Sequence, residues 1–227
     1  MKKLFFVVFS ILILFTNTLS AHVNHYSQIK YLKYNIYFNN VIIGYHTFDF
    51  TKKDQILEVK GEGRFKLTKL GIDVMNYKTH SRAIYKNNQL IEFKSETIQN
   101  DKKKYTNIKA TDNILKIQGS SFNGQTDKDS IISSWWNHEI VTKNKQISSV
   151  SGRVMDQKVK FLGKKKIIIK NKNYNAINFH IISDDEKKID DKKLDIKIWY
   201  NSDNLIWLKA SYEKFGTWEY RLEEVKY

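Results

Sequence analysis

The chain alternates. From Gln55 to Leu67, Leu57, Val59, Gly61, Gly63, Phe65 and Leu67 take every second position, and Glu58, Lys60, Glu62, Arg64 and Lys66 fill the places between. Side chains on an extended backbone point to opposite faces in turn, so this pattern puts apolar groups on one face and charges on the other. It describes a half-buried antiparallel strand. The same reading gives strands at Tyr31 to Phe38, Val41 to Phe50, Ile72 to Tyr85, Leu90 to Gln99, Tyr105 to Thr111, Ile114 to Gln118, Val154 to Phe161, Lys166 to Ile169, Tyr174 to Ile182, Leu194 to Tyr200, Leu205 to Glu213 and Trp218 to Val225. Asn39-Asn40, Asn87-Asn88, Asp112-Asn113 and Asp203-Asn204 separate many of them. Asn and Asp tolerate the left-handed angles of tight hairpins, whereas parallel neighbours need crossovers of about a dozen residues or more. The expected fold is all-β: an antiparallel meander curved into a clam or incomplete barrel.

One stretch departs from this period. Asp129 to Thr142 carries Ile131, Ile132, Trp135, Trp136 and Ile140, a spacing that suits one short amphipathic helix or a packed loop covering one opening of the barrel. No composition break or repeat divides the rest, so residues 22–227 are expected to form a single domain and a monomer.

The N-terminus reads differently. Met1-Lys2-Lys3 is followed by an apolar run from Leu4 to Phe15, interrupted only by Ser10, and then by the small and polar Thr16 to Ala21. The run is shorter than the roughly 20 residues a membrane span requires. Residues 1–21 are expected to be a cleaved signal peptide, cut after Ala21 or after Ser20, which sends the chain to the periplasm. The chain has no Cys, which excludes a disulfide scaffold, a thiolate zinc site, a Cys nucleophile and an N-terminal lipid-bearing Cys.

Of the 39 basic residues, four are Arg: Arg64, Arg82, Arg153 and Arg221. Signal removal takes Lys2 and Lys3 and lowers the formal +15 by two. A surface that reads bases uses Arg for bidentate contacts to guanine, so no nucleic-acid partner is expected. Abundant Lys, Asn and Ile with no Pro fit AT-rich codons, so genome composition with Lys-guarded strand edges is the first account of the charge, and a surface that docks on anionic membrane the second.

Trp135, Trp136, Trp199, Trp207 and Trp218 can each bury about 150–250 Å2. They read either as core or, with Tyr45 and Tyr77, as the lining of a cleft for an apolar or acyl ligand. The ligand-binding candidates are Trp135, Trp136, Trp199, Trp207, Tyr45 and Tyr77. The expected function is a non-enzymatic binding or transfer module for such a ligand in the cell envelope.

A His-dependent hydrolase acting on an envelope ester or glycan is the competing expectation. Its catalytic candidates are His46 and His80, both within strands and both able to serve as proton donors near neutral pH. It requires the two imidazoles in one cleft, with Tyr45, Tyr77 or Arg82 beside them. His138 falls in the Trp-Trp-Asn-His string, where a loop role is open, and His180 reads as surface. There is no HExxH, no GxSxG and no metal-binding His spacing, so no cofactor and no metal site is expected. Two fainter cation readings remain: at the His22 and His25 end, copper held by the amine and imidazole of an N-terminal His22, its other ligands unassigned, and calcium at Asp184-Asp185-Glu186 and Asp190-Asp191. The second is opposed by the interleaved Lys187, Lys188, Lys192 and Lys193, which favour a solvated hairpin tip.

Several strings share an order that resembles a known family. These are Tyr34 to Phe48, Phe65-Lys66-Leu67 with Leu70-Gly71-Ile72 and Tyr77, then Trp135-Trp136-Asn137, and last Trp199-Tyr200, Trp207-Leu208 and Tyr220-Arg221-Leu222. Together they are similar to an uncharacterised family of exported Gram-negative bacterial proteins, number 6134 among the domains of unknown function. Ala83 and Tyr85 stand where that pattern has an acidic residue and a Trp, and Trp135 where it has Tyr. The first departure argues against a catalytic role for that strand. A looser similarity to β-clam carriers of the lipoprotein-sorting kind implies a curved sheet that holds acyl chains.

Overall fold

The computed structural model describes residues 26, 28–184 and 193–227. The signal segment, His22, His25 and residues 185–192, which hold every calcium candidate but Asp184, lie outside the described residues.

Each two-residue turn does what its side chains permit. Asn39 and Asn40 take φ of 46° and 66°, Asn87 and Asn88 50° and 67°, and Asn100 and Asp101 47° and 65°. Both central residues of a type I′ turn need positive φ, and its twist matches that of the flanking strands. Lys170 and Asn171 turn the same way, with no sequence signal at Lys170. Asp112 and Asn113 instead form a wider turn, closed by Thr111 N donating to Ile114 O.

These turns join β1 (Tyr31–Phe38), β2 (Val41–Lys53), β3 (Ile56–Lys69), β4 (Ile72–Lys86), β5 (Gln89–Gln99), β6 (Lys102–Ala110), β7 (Ile114–Gly119) and β8 (Asn123–Asp127) into one meander. A second meander follows, with β9 (Ile131–Ile132), β10 (Lys145–Ile147), β11 (Val154–Ile169), β12 (Lys172–Ser183), β13 (Asp195–Asn201), β14 (Trp207–Glu213) and β15 (Thr217–Lys226). β1 pairs antiparallel with β15 and unites them into one fifteen-stranded sheet whose outer strands are β8 and β9. The fold is the expected all-β curved meander, apart from the short parallel pairing of β9 with β10. The two strands expected at Val154 to Phe161 and Lys166 to Ile169 are one, because the interruption is a bulge at Gly163, φ +99°. A bulge bends a ladder without ending it.

Curvature brings distant strands together over a common interior. Trp136 is buried against Tyr26, Phe50 and Tyr85, with ring centroids 5.1, 5.2 and 5.9 Å away. The stretch expected as a helix or loop is a loop with one 3-10 turn, His138–Thr142, entered through Asn137, whose side chain accepts from Glu139 N. It runs inside the curved sheet as a plug, anchored by Tyr200 Oη donating to Trp135 O at 2.8 Å. A continuous helix is broken here by Asn137, which is extended at φ −84° and ψ 104°.

No strand pairing joins β8 to β9, so the barrel stays open as a ladder. A loop between β10 and β11, residues 148–153, spans the seam instead. Ser121 N donates to Ser151 O at 2.9 Å, Thr106 Oγ1 to Ser148 O at 3.2 Å, and Ser95 Oγ to Ser149 O. Gly119 and Gly152 allow the close approach. A Cβ on Gly119 would sit 2.8 Å from Gly152 Cα and 2.9 Å from the Ser151 carbonyl carbon, both backbone atoms that cannot step aside. The Ser and Thr side chains on the inner faces of β5 and β6 thus serve buried carbonyls that would otherwise be orphaned. Among the described residues no helix is long and apolar enough to cross a membrane.

Candidate functional site

Between the plug and the seam loop lies a cavity of about 310 Å3. That is roughly twice the ~150 Å3 that holds a benzene in an apolar core, and within reach of the lower end of small-molecule sites. Strand alternation supplies one wall: His46 and Phe48 from β2, Tyr77, Thr79 and Ser81 from β4, and Phe93 from β5. The rest of the lining is Trp207, Tyr220, Ile196, Leu194 and Lys193, with Gln146 from β10. Trp135, Ser133 and Ser134 come from the plug, and Ser149, Val150, Arg153 and Met155 from the seam loop and the start of β11.

His46 is neutral at neutral pH. Burial pushes its pKa down to about 4, as expected for an imidazole whose charged form would be desolvated. Its ring lies 4.4 Å from the Phe48 centroid. Tyr77 stacks on Phe65 at 4.7 Å, and burial raises the pKa of its hydroxyl. Trp135 meets Trp207 and Tyr220 edge to face at 5.4 and 5.1 Å, the preferred geometry for ring quadrupoles. Trp207 in turn stacks on Tyr34 at 3.9 Å.

The structure therefore sorts the candidates. Trp135, Trp207, Tyr77 and His46 share the cavity. Trp136 is core rather than lining. Tyr45 lies on the outer face, donating to Glu62 Oε1 at 3.1 Å. Trp199 is also outside, because β13 turns Ile196, Ile198 and Tyr200 inward. It is buried there by neighbours, with Lys165 and Lys209 Nζ 5.2 and 5.4 Å from its ring centre. Lys209 is itself held by Glu219, which also pairs with Arg221. Burial works against the Glu219 charge, and the two cations outweigh it, leaving the pKa lowered.

The catalytic pairing fails on geometry. His46 and His80 project from opposite faces of the sheet: His46 registers against Gly63 on the inside, and His80 against Glu62 on the outside. Two strands pointing their rings apart cannot bring both to one substrate atom. Arg82 is outside as well, paired with Glu58, and no carboxylate among the described residues lines the cavity. His138 is buried, with Nδ1 3.0 Å from the Tyr26 hydroxyl, and His180 Nε2 lies 2.6 Å from Asp195 Oδ1 on the surface. Among the described residues no group of three His, Asp or Glu side chains is placed to hold a metal.

Arg153 was not singled out by the sequence. Its only mark there is scarcity, as one of four Arg. Nor did a pattern reveal Ser133, Ser149 or Tyr26, since loop residues carry no period.

A crystal structure described as a beta-barrel-like protein of a domain of unknown function, DUF1849, from Brucella abortus is similar to this chain. The TM-score is 0.61 at 10% identity, covering 87% of this chain and 97% of that one. At that identity the likeness is one of fold. A search of curated proteins finds no match. The model described as "Domain of unknown function (DUF6134)" matches residues 34–223, nearly the whole of the described sheet from β1 to β15, and the chain belongs to that family.

Proposed function

We propose that this protein is a periplasmic, non-enzymatic binding or transfer module for a lipid-like or other apolar ligand of the cell envelope. The observation that carries the reading is the cavity, where Trp135, Trp207, Phe48, Phe93 and Ile196 surround a space large enough for about a dozen heavy atoms. Separated imidazoles, and a lining without a carboxylate among the described residues, favour binding over hydrolysis. The test is mass spectrometry of organic extracts from protein purified without detergent, paired with titration of a fluorescent fatty acid. A copurified acyl compound, or saturable quenching of the cavity tryptophans, is expected. Absence of both would remove the reading.

An anionic membrane is the proposed docking surface. Antiparallel connection puts the β1–β2, β3–β4, β5–β6 and β14–β15 turns at one end of the sheet, where Asn39 and Thr217 exchange hydrogen bonds of 2.9 Å. At that end Leu70 and Phe215 are 94% and 95% exposed and held at φ of +51° and +56°. Left-handed angles disfavour such side chains. Burial in the interfacial region of a bilayer supplies a reason for them that the folded chain alone does not. Exposed Lys69, Lys102, Lys103 and Lys214 flank them, each contributing about 1 kcal/mol near anionic lipid.

A further inference from the structure

The cavity contains a guanidinium without a counter-charge among the described residues. Arg153 lines it, and its Nε is buried with no hydrogen-bond partner among the described residues. Arg82 and Arg221, by contrast, are satisfied on the outer face by Glu58 and Glu219. A guanidinium carries five donors and stays charged, and a buried donor left unmade costs about 1–3 kcal/mol. Trp207, in the same lining, has a buried indole Nε1 that is also unpartnered. Two residues of one lining thus carry orphaned donors, and no acidic residue among the described ones joins them; Lys193 and Gln146 are the other polar members beside the apolar, aromatic and hydroxyl-bearing walls.

The position of Arg153 is fixed rather than incidental. Its carbonyl accepts from Ser148 N at 2.8 Å, and Gly152 N donates to Ser148 O at 3.0 Å. The Ser148 hydroxyl caps Val150 N and Ser151 N, and Ser133 Oγ accepts from Ser149 N at 2.9 Å. The loop that closes the seam therefore also aims the guanidinium, an arrangement suited to recognition by a locked side chain.

We infer that Arg153 is the anion-recognising group of the cavity, so that the ligand is an amphiphile with an apolar body against Trp135 and Trp207 and a small anionic end, a carboxylate or phosphate monoester, on Arg153. The inference rests on the binding reading above and narrows it. Arg suits such an end because its fork matches two oxygens at once, and the low-dielectric walls strengthen the pairing. His46, neutral through burial, adds no charge to the lining, and Lys193 beside Leu194 is its second cation.

The test compares four probes on the mature protein at pH 8: decanoate, decyl phosphate, 1-decanol and inorganic phosphate, followed by calorimetry and by Trp fluorescence. Wild-type protein is expected to bind at least one anionic amphiphile about ten- to a hundredfold more tightly than decanol, the range for a charged hydrogen bond. Whichever of decanoate and decyl phosphate binds tighter identifies the end group. Arg153→Gln should abolish the preference for an anionic end over decanol, whereas Arg153→Lys should keep part of it. Equal wild-type affinity for decanol and both anions overturns the inference while leaving an apolar-ligand cavity intact, and this comparison needs no variant to fold. Inorganic phosphate binding as tightly as decyl phosphate overturns the amphiphile. If none of the three ten-carbon probes binds, the binding reading itself fails.

Discussion

Replacing Gly119 with Ala tests whether the seam loop holds the barrel together. The added methyl would lie 2.8 Å from Gly152 Cα and closer still to Ser151 O, so the loop must retreat by a large part of an ångström to reach ordinary contact. Retreat strains or breaks the bonds from Ser121 N, Thr106 Oγ1 and Ser95 Oγ to the loop carbonyls. At about 1 kcal/mol each, and after the modest unfolded-state gain of Gly→Ala, the net loss is about 2–3 kcal/mol. Gly71→Ala is the control, since nothing lies within 4 Å of its Cβ and only a φ of +78° opposes it, for about 1 kcal/mol. Urea titration of the mature chain would show a midpoint drop two to three times larger for Gly119→Ala, with m unchanged. A loss at Gly119 no greater than that at Gly71 would refute the seam as a structural element. Because the loop also aims Arg153, decanoate affinity should fall with Gly119→Ala and not with Gly71→Ala.

Stability should also depend on pH through His46. Its folded pKa of about 4 lies below the unfolded value, so the unfolded chain binds more protons in between, and stability present above about pH 6.5 is lost as pH falls towards 4. The loss should be about 2 kcal/mol, less than full linkage because the ring is only part-buried, and His46→Phe should remove that slope in urea midpoints between pH 7 and 4.5. Leu70→Asn should raise the thermal midpoint, gaining about 0.5–1 kcal/mol from a residue that accepts φ of +51°, yet weaken sedimentation with anionic vesicles; unchanged vesicle binding would discount the turn as a membrane contact. Trp136→Ala should cost about 3–5 kcal/mol as an emptied core site, whereas Trp199→Ala, on the outer face, should leave fatty-acid binding intact.

Much of the architecture was legible because it is local. Each β strand of the main meander carries its own period of two, and Asn39-Asn40 or Asn87-Asn88 supply the angles of the turn between them without help from elsewhere. Three elements escaped this reading for physical reasons. β8 is Asn-Gly-Gln-Thr-Asp, too polar to show a face, while β9 and β10 are two and three residues long, too short for a period. The break inferred near Gly163 was real as an irregularity, but a bulge and a turn look alike in sequence.

The site divides along the same line. Alternation places Tyr77, Thr79 and Ser81 on one face of β4 and His80 on the other, so the separation from His46 follows from strand phase once the register of β2 against β3 is known. Register is a property of pairs of strands, and which face is concave is a property of the whole sheet. The sequence by itself determined the strands, their turns and the supply of aromatic side chains. Only the tertiary structure decided that Trp135 and Trp207 face a cavity while Trp136 fills the core and Trp199 lies outside, and that the Arg153 Nε finds no partner among the described residues. Those outcomes depend on how a curved sheet closes across residues 148–153, where contacts between distant segments, and not local propensity, fix where each side chain points.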